Sequence, residues 1–188
     1  NALEVAEVMR VLRGESTGPL LDLSAMLGGV LLAGGGLAQD VQAGADAIAG
    51  AIRDGRAAER FGRMIAAMGG PVHFVENWAR FLPEATVIRE VKSIADGYVA
   101  AIDGEALGFA VVALGGGRRV EGDVIDPAVG ITQIVRLGDK IVEGQPLAVV
   151  HASRPETADA AAIAVRAALT LSDQPITTDG DLIRKRIG

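Results

Sequence analysis

Through the first part of the chain, apolar residues recur every three or four positions, the spacing of a helix with one buried face. Val5, Val8, Met9 and Leu12 make the first such stripe, and Gly14 stops it. Leu20, Leu23, Leu27 and Leu31 make the second, over a helix predicted from Pro19 to Ala33 and closed by Gly34-Gly35-Gly36. Proline suits the first helical turn because its missing N–H has no partner there anyway. A third helix is predicted over Val41 to Arg53, with Ala43, Ala47, Ile48, Ala51 and Ile52 on one side. A fourth is predicted over Ala57 to Met68, with Phe61, Met64, Ile65 and Met68 as its stripe. A short helical turn near Val72 to Trp78 follows, and Leu82-Pro83 closes the region.

Beyond Pro83 the pattern changes to short apolar runs bounded by glycine, aspartate and proline, which reads as strands. Strands are predicted at Thr86 to Val91, Gly97 to Ile102, Ile131 to Val135 and Pro146 to His151. Leu137 to Gly144 reads as turn, short strand and turn. Asp103 is placed to cap a helix from Gly104 to Leu114. Glu156 to Leu171 reads as an amphipathic helix, and Ile176 to Ile187 as an edge strand. The fold class expected is therefore α/β (α+β). Residues 1–85 form a helical segment and 86–188 a small α/β domain.

Composition narrows the function. Of 188 residues, 49% are hydrophobic and 22% charged, an ordinary globular balance. The net charge of −6 speaks against a nucleic-acid partner, which usually meets a basic surface. No cysteine is present, so disulfides and thiolate chemistry are excluded, and the two histidines, His73 and His151, make an ordinary zinc site unexpected. No run of eighteen apolar residues exists, so no membrane-spanning helix is expected. A cytoplasmic location is the expectation.

Few residues stand out for chemistry. His73 lies among apolar neighbours and reads as a surface or packed histidine; His151 ends a strand. The cluster Gly115, Gly116, Gly117, Arg118, Arg119 joins permissive backbone to two forked donors. Such a loop suits an anion such as phosphate, or serves as a linker between helix and strand. Asp123 and Asp126 would weaken an anion site or pair with the arginines. Glu4 and Glu7, in the first helix, read alone as solvated carboxylates favoured by the helix dipole. The stretch Val135 to Val150 is similar to the barrel-sandwich repeat of biotinyl and lipoyl carrier domains. Those carriers need a lysine at a hairpin tip, whereas Lys140 lies inside its turn. A non-catalytic carrier module is the alternative reading.

Several segments in one order carry a broader resemblance: NALEV (1–5), FGRMIAAMGGP (61–71), FVENWARFLP (74–83), ADGYV (95–99), LGGGRR (114–119), IDPAVGI (125–131), RLGD (136–139) and PLAVVHA (146–152). Together they resemble the pyrimidine nucleoside phosphorylase family, and FGRM, FVEN and LGGGRR resemble its thymidine-specific bacterial branch. The resemblance covers essentially the whole chain.

The resemblance implies that this chain is the C-terminal part of a longer enzyme. Residues 1–85 would be the closing helices of its catalytic domain, and 86–188 its C-terminal α/β domain, with a barrel-sandwich or hammerhead-like sheet. It implies reversible phosphorolysis of thymidine by inorganic phosphate, no organic cofactor, and a homodimeric parent. The phosphate loop and the base-binding residues of the family have no counterpart here, so no catalytic or substrate-binding residue is carried over and the chain alone is expected to be inactive. Glu7 matches the carboxylate that helps hold a structural potassium ion, a role suited to hard oxygen ligands. Gly115 to Arg119 would respond to closure of the cleft. With the partner portion missing, the apolar faces of residues 1–80 are expected to drive self-association or rearrangement.

Overall fold

The computed structural model describes residues 1–177 together with 182 and 183. These residues divide into two compact units, one made of residues 4–82 with 182 and 183, and the other of residues 1–3 and 83–177. The expected edge strand at Ile176 to Ile187 falls almost wholly outside the described residues, and 176 and 177 are not in a strand.

The first unit is helical: α1 (Ala2–Leu12), α2 (Pro19–Gly34), α3 (Val41–Arg53), α4 (Arg56–Ala67) and α5 (Phe74–Phe81). Local signals set their ends. Pro19 opens α2, and the Asp40 side chain accepts from the Ala43 N–H at 2.8 Å to cap α3. Gly14 and Gly55, with φ of 71° and 86°, make the left-handed turns after α1 and before α4.

Met9 of α1 and Ile52 of α3 are buried as their stripes predict, but the faces buried on α2, α3 and α4 otherwise differ from the predicted ones. On α2 the buried residues are Ala25 and Gly29, not the leucines. On α3 they are Gly44, Ala45 and Ile52, while Ala43 and Ala47 are exposed. On α4 Ala58 is buried, while Met64 and Met68 are exposed. For α2 and α3 the cause lies where the two helices cross. A methyl on Gly29 would stand 2.4 Å from the Val41 carbonyl oxygen, and one on Gly44 would stand 2.7 Å from the Gly29 carbonyl oxygen. The backbones touch, so only small residues fit between them and the larger side chains are turned away. Met9 and Phe74 supply the larger buried groups, with Phe61 and Phe81 ring centroids 6.2 and 6.0 Å from Phe74. The Arg10 guanidinium lies over the Trp78 ring, 5.9 Å from its centroid.

The second unit is mixed α/β. Its elements are β1 (Val87–Lys92), β2 (Gly97–Ile102), α6 (Gly104–Val111), β3 (Gly130–Thr132), β4 (Lys140–Ile141), β5 (Pro146–Ala152), α7 (Pro155–Ala167) and β6 (Leu169–Ser172). They form two antiparallel three-stranded sheets, ordered β1-β5-β3 and β4-β2-β6. Strand β5 is central in the first sheet, and its register pairs Glu90 with Val149 and Ile131 with Val150. Val91, Val99, Ile141, Val150 and Val165 are fully buried in one core. Helix α7 adds Ala158, Ala161 and Ala162, whose small side chains let it lie close on the sheet. The predicted helix to Leu171 is too long: the chain leaves α7 at Ala167, and Leu169 and Leu171 pair with Ile102 and Val99 of β2. A β-branched and leucine-rich segment beside an open sheet edge gains more from the ladder than from a further helical turn. The predicted strand at Ile131 to Val135 contracts to β3. Beyond it Gln133 has a φ of 53°, a left-handed residue that ends the pairing.

Candidate functional site

The glycine–arginine loop grows out of α6. Asp103 caps that helix by accepting from the Ala106 N–H at 2.9 Å. The predicted helix to Leu114 does not end as an α-helix: after Val111 it widens into one π-helical turn, Val112–Gly116. Gly115 leaves that turn with φ of 100°, which a side chain would oppose. Its carbonyl accepts from the Asp126 N–H at 2.9 Å and closes the base of the loop. Gly116 and Gly117 lie tight against Val111 and Val112, where a methyl would stand 2.8 and 2.7 Å from their side-chain carbons. The three glycines thus serve the backbone path.

Across the loop, the Asp123 carboxylate accepts from the backbone N–H groups of Arg119 at 2.9 Å and Val120 at 3.2 Å. These donors hold its carboxyl below the usual carboxylate range. The Arg118 Nε donates to the Asp123 carbonyl at 3.4 Å. The side chains of Arg118 and Arg119 are exposed. So two backbone donors of the loop, the N–H groups of Arg119 and Val120, are taken by the chain's own carboxylate. Asp123 meets the arginines through backbone groups: the Arg119 N–H donates to its carboxylate, and the Arg118 Nε donates to its carbonyl.

Glu7 lies in α1, half exposed. One of its oxygens accepts from the Ser16 hydroxyl at 3.0 Å, and the other faces Arg10 at 3.4 Å. The turn at Gly14 brings Ser16 back to this point, a link that sequence spacing alone does not reveal. A potassium ion needs several oxygen ligands. Glu7 and Ser16 offer two side-chain oxygens beside a cation already present, and no group of three or more acidic or histidine side chains gathers among the described residues. These residues do not form a potassium site by themselves.

His151 sits on β5, half-buried, with Nε2 3.0 Å from the Thr132 hydroxyl of β3. Burial pushes its pKa down. Among the described residues, no hydrogen bond joins it to the glycine–arginine loop. His73 is exposed at the start of α5. Lys140 lies within β4, paired with Tyr98, so it is a strand residue and not the tip of a hairpin. No helix among the described residues is long and apolar enough to cross a membrane.

Residues 98–172 match the family model of the pyrimidine nucleoside phosphorylase C-terminal domain. The matched stretch runs from β2 to the end of β6. It contains the whole glycine–arginine loop, Lys140 and His151, and lies entirely within the second unit. It supports the phosphorylase family for this part of the chain. Glu7 and helices α1 to α5 lie outside it.

Proposed function

We propose that this chain is the C-terminal part of a pyrimidine nucleoside phosphorylase acting on thymidine. The parent enzyme would convert thymidine and inorganic phosphate reversibly into thymine and 2-deoxy-α-D-ribose 1-phosphate. The observation that carries the reading is the family match over residues 98–172. The ordered segments outside that stretch, NALEV and FGRMIAAMGGP among them, extend it toward the N-terminus. Phosphate attacks the anomeric carbon as the bond to the base breaks, through an oxocarbenium-like state, so catalysis rests on placing the two reactants and stabilising the departing base. Those groups belong to the upstream portion, and this chain alone is inactive. The enzyme needs no organic cofactor, works in the cytoplasm and is a homodimer. Glu7 adds one carboxylate to a structural potassium shell completed by upstream residues.

Within this scheme the loop Gly115 to Arg119 takes part in closing the cleft. Asp123 holds it folded on itself in the chain alone. Competition from a phosphate oxygen for the same N–H groups would loosen that clasp. The test is phosphorolysis by the enzyme reassembled from this chain and the upstream portion. Replacing Arg118 and Arg119 together by alanine should lower kcat/KM for thymidine, and uridine should be the poorer substrate. Unchanged kcat/KM in the double variant would remove the loop from the reaction, and equal use of uridine would remove the thymidine specificity.

A further inference from the structure

Five basic residues among the described ones lie outside helices and strands: Arg13, Arg118, Arg119, Arg136 and Arg154. Three of them are secured. The Arg13 side chain donates to Glu15 at 2.5 Å and to the Val75 carbonyl at 3.1 Å. Arg136 stands in a tight turn: its N–H donates to the Asp139 carboxylate at 2.7 Å, and its carbonyl accepts from the Asp139 N–H at 3.1 Å. The chain on either side is tied to strands, since the Val135 N–H donates to the Leu147 carbonyl and the Gly138 N–H to the Val99 carbonyl. Arg154 leads into Pro155, so the bond after it is a tertiary amide with no N–H.

Arg118 and Arg119 differ in what holds them. Both side chains are exposed. Val120 and Val124 beside them are 64% and 94% exposed, so the tip of the loop has no apolar footing. Among the described residues, every hydrogen bond of residues 118–123 stays inside that stretch. The Asp123 carboxylate accepts from Arg119 and Val120, the Asp123 N–H donates to the Val120 carbonyl at 3.3 Å, and the Arg118 Nε donates to the Asp123 carbonyl. Opening the tip therefore breaks these bonds and no core contact. The base stays shut, because the Asp126 N–H donates to the Gly115 carbonyl and Ala128 and Val129 are buried.

We propose that the Arg118-Arg119 tip is a cleavage site for a serine endoprotease of arginine specificity, with Asp123 as the latch that guards it. Such an enzyme seats the guanidinium on a carboxylate in its specificity pocket and cuts the transiently opened loop. At the Arg119–Val120 bond, the oxygen of water joins the Arg119 carbonyl carbon and the C–N bond breaks. Arg119 is left with a carboxylate and Val120 with an ammonium group. The two fragments stay together. Core residues Val99, Leu107 and Leu114 precede the cut, Ile141, Val150 and Val165 follow it, and β1 and β2 pair with β5 and β6 across it. Cleavage thus frees the loop and leaves the unit standing, and the site does not depend on the phosphorylase reading.

Limited digestion of the 188-residue chain with trypsin, read by intact mass spectrometry and size exclusion, tests it. The first cut within residues 1–177 should fall after Arg118 or Arg119, and the fragments should elute together at the position of the uncut chain. Asp123→Ala should speed that cut by about tenfold, because the open fraction rises when the bonds to Arg119 and Val120 are lost. Cleavage after Arg136 should keep its rate. Asp123→Asn, which retains an acceptor oxygen, should fall between. Arg118→Gln combined with Arg119→Gln should leave residues 1–177 whole over the same time. Unchanged circular dichroism in each variant verifies the fold. A first cut at any other basic residue of 1–177, a rate indifferent to Asp123→Ala, or fragments that separate without denaturant would overturn the proposal.

Discussion

Gly29 and Gly50 undergo the same substitution with opposite consequences. Gly29 sits where α2 crosses α3. A methyl there would lie 2.4 Å from the Val41 carbonyl oxygen, 2.7 Å from the Ala45 nitrogen and 3.1 Å from the Ala45 Cα. All three are backbone atoms, so no rotamer change relieves the contact. Ordinary contact needs about 3.4 Å or more, and one helix must shift by about 1 Å along its length. Overpacking costs about 1–3 kcal/mol, and contacts made entirely with backbone put this one in the upper part of that range, about 2–3 kcal/mol. The helical preference of alanine over glycine returns roughly 1 kcal/mol. The net expectation for Gly29→Ala is a loss of about 1–2 kcal/mol. Gly50 lies inside α3 with nothing within 4 Å of its added methyl. Gly50→Ala should therefore stabilise by about 0.5–1 kcal/mol. Trp78 is the single tryptophan and belongs to the helical unit. Urea unfolding followed by its fluorescence reads that unit selectively. A Gly29→Ala variant as stable as the parent, or a destabilised Gly50→Ala, would refute the backbone-contact account of the α2–α3 pair.

Other consequences follow from the second unit. Asp123→Ala removes the acceptor of the Arg119 and Val120 N–H groups, so hydrogen exchange at those two amides should quicken while Val150, in the core, keeps its protection. Because the Asp123 carboxyl is held below its ordinary value, its contribution is full above the unfolded pKa of about 3.9 and fades as pH falls through the folded value; the same amides should therefore exchange faster, relative to their intrinsic rates, only in acid. His151 is pushed down by burial, so the unfolded chain binds the proton more readily; stability should be full above about pH 6.5 and fall as the pH drops from there toward the folded pKa. His151→Gln should flatten that slope in a pH series of melting temperatures. Ile141 is fully buried, and Ile141→Ala should cost about 2–5 kcal/mol in chemical unfolding.

Much of the fold is legible in the sequence where a local signal carries it. The bounds of α3 follow from Asp40 before it and the aspartate–glycine pair after it, and Pro19 and the triple glycine nearly fix α2. Strands β2 and β5 follow from apolar runs between turn residues. What the pattern misses is decided by partners far along the chain. Periodicity shows that the leucines of α2 share a face, but the touching backbones of Gly29 and Gly44 decide that the small residues are the buried ones. The end of α7 depends on an open edge of β2 that residues 169 to 172 fill. At the candidate site, the glycines and arginines are visible in sequence, whereas the clasp by Asp123 depends on the turn that brings its carboxylate to two N–H groups. The His151–Thr132 pair joins neighbouring strands 19 positions apart, and nothing in the spacing announces it.

The central claim is that this chain supplies one part of a thymidine-cleaving phosphorylase. The most direct measurement is phosphate-dependent release of thymine from thymidine, by this chain alone and after mixing with the separately produced upstream portion of such an enzyme. The account predicts no turnover from either piece and turnover from the two together. Turnover by this chain alone would contradict it, by demanding an active site within residues 1–188, and so would a well-folded mixture of the two pieces that releases no thymine.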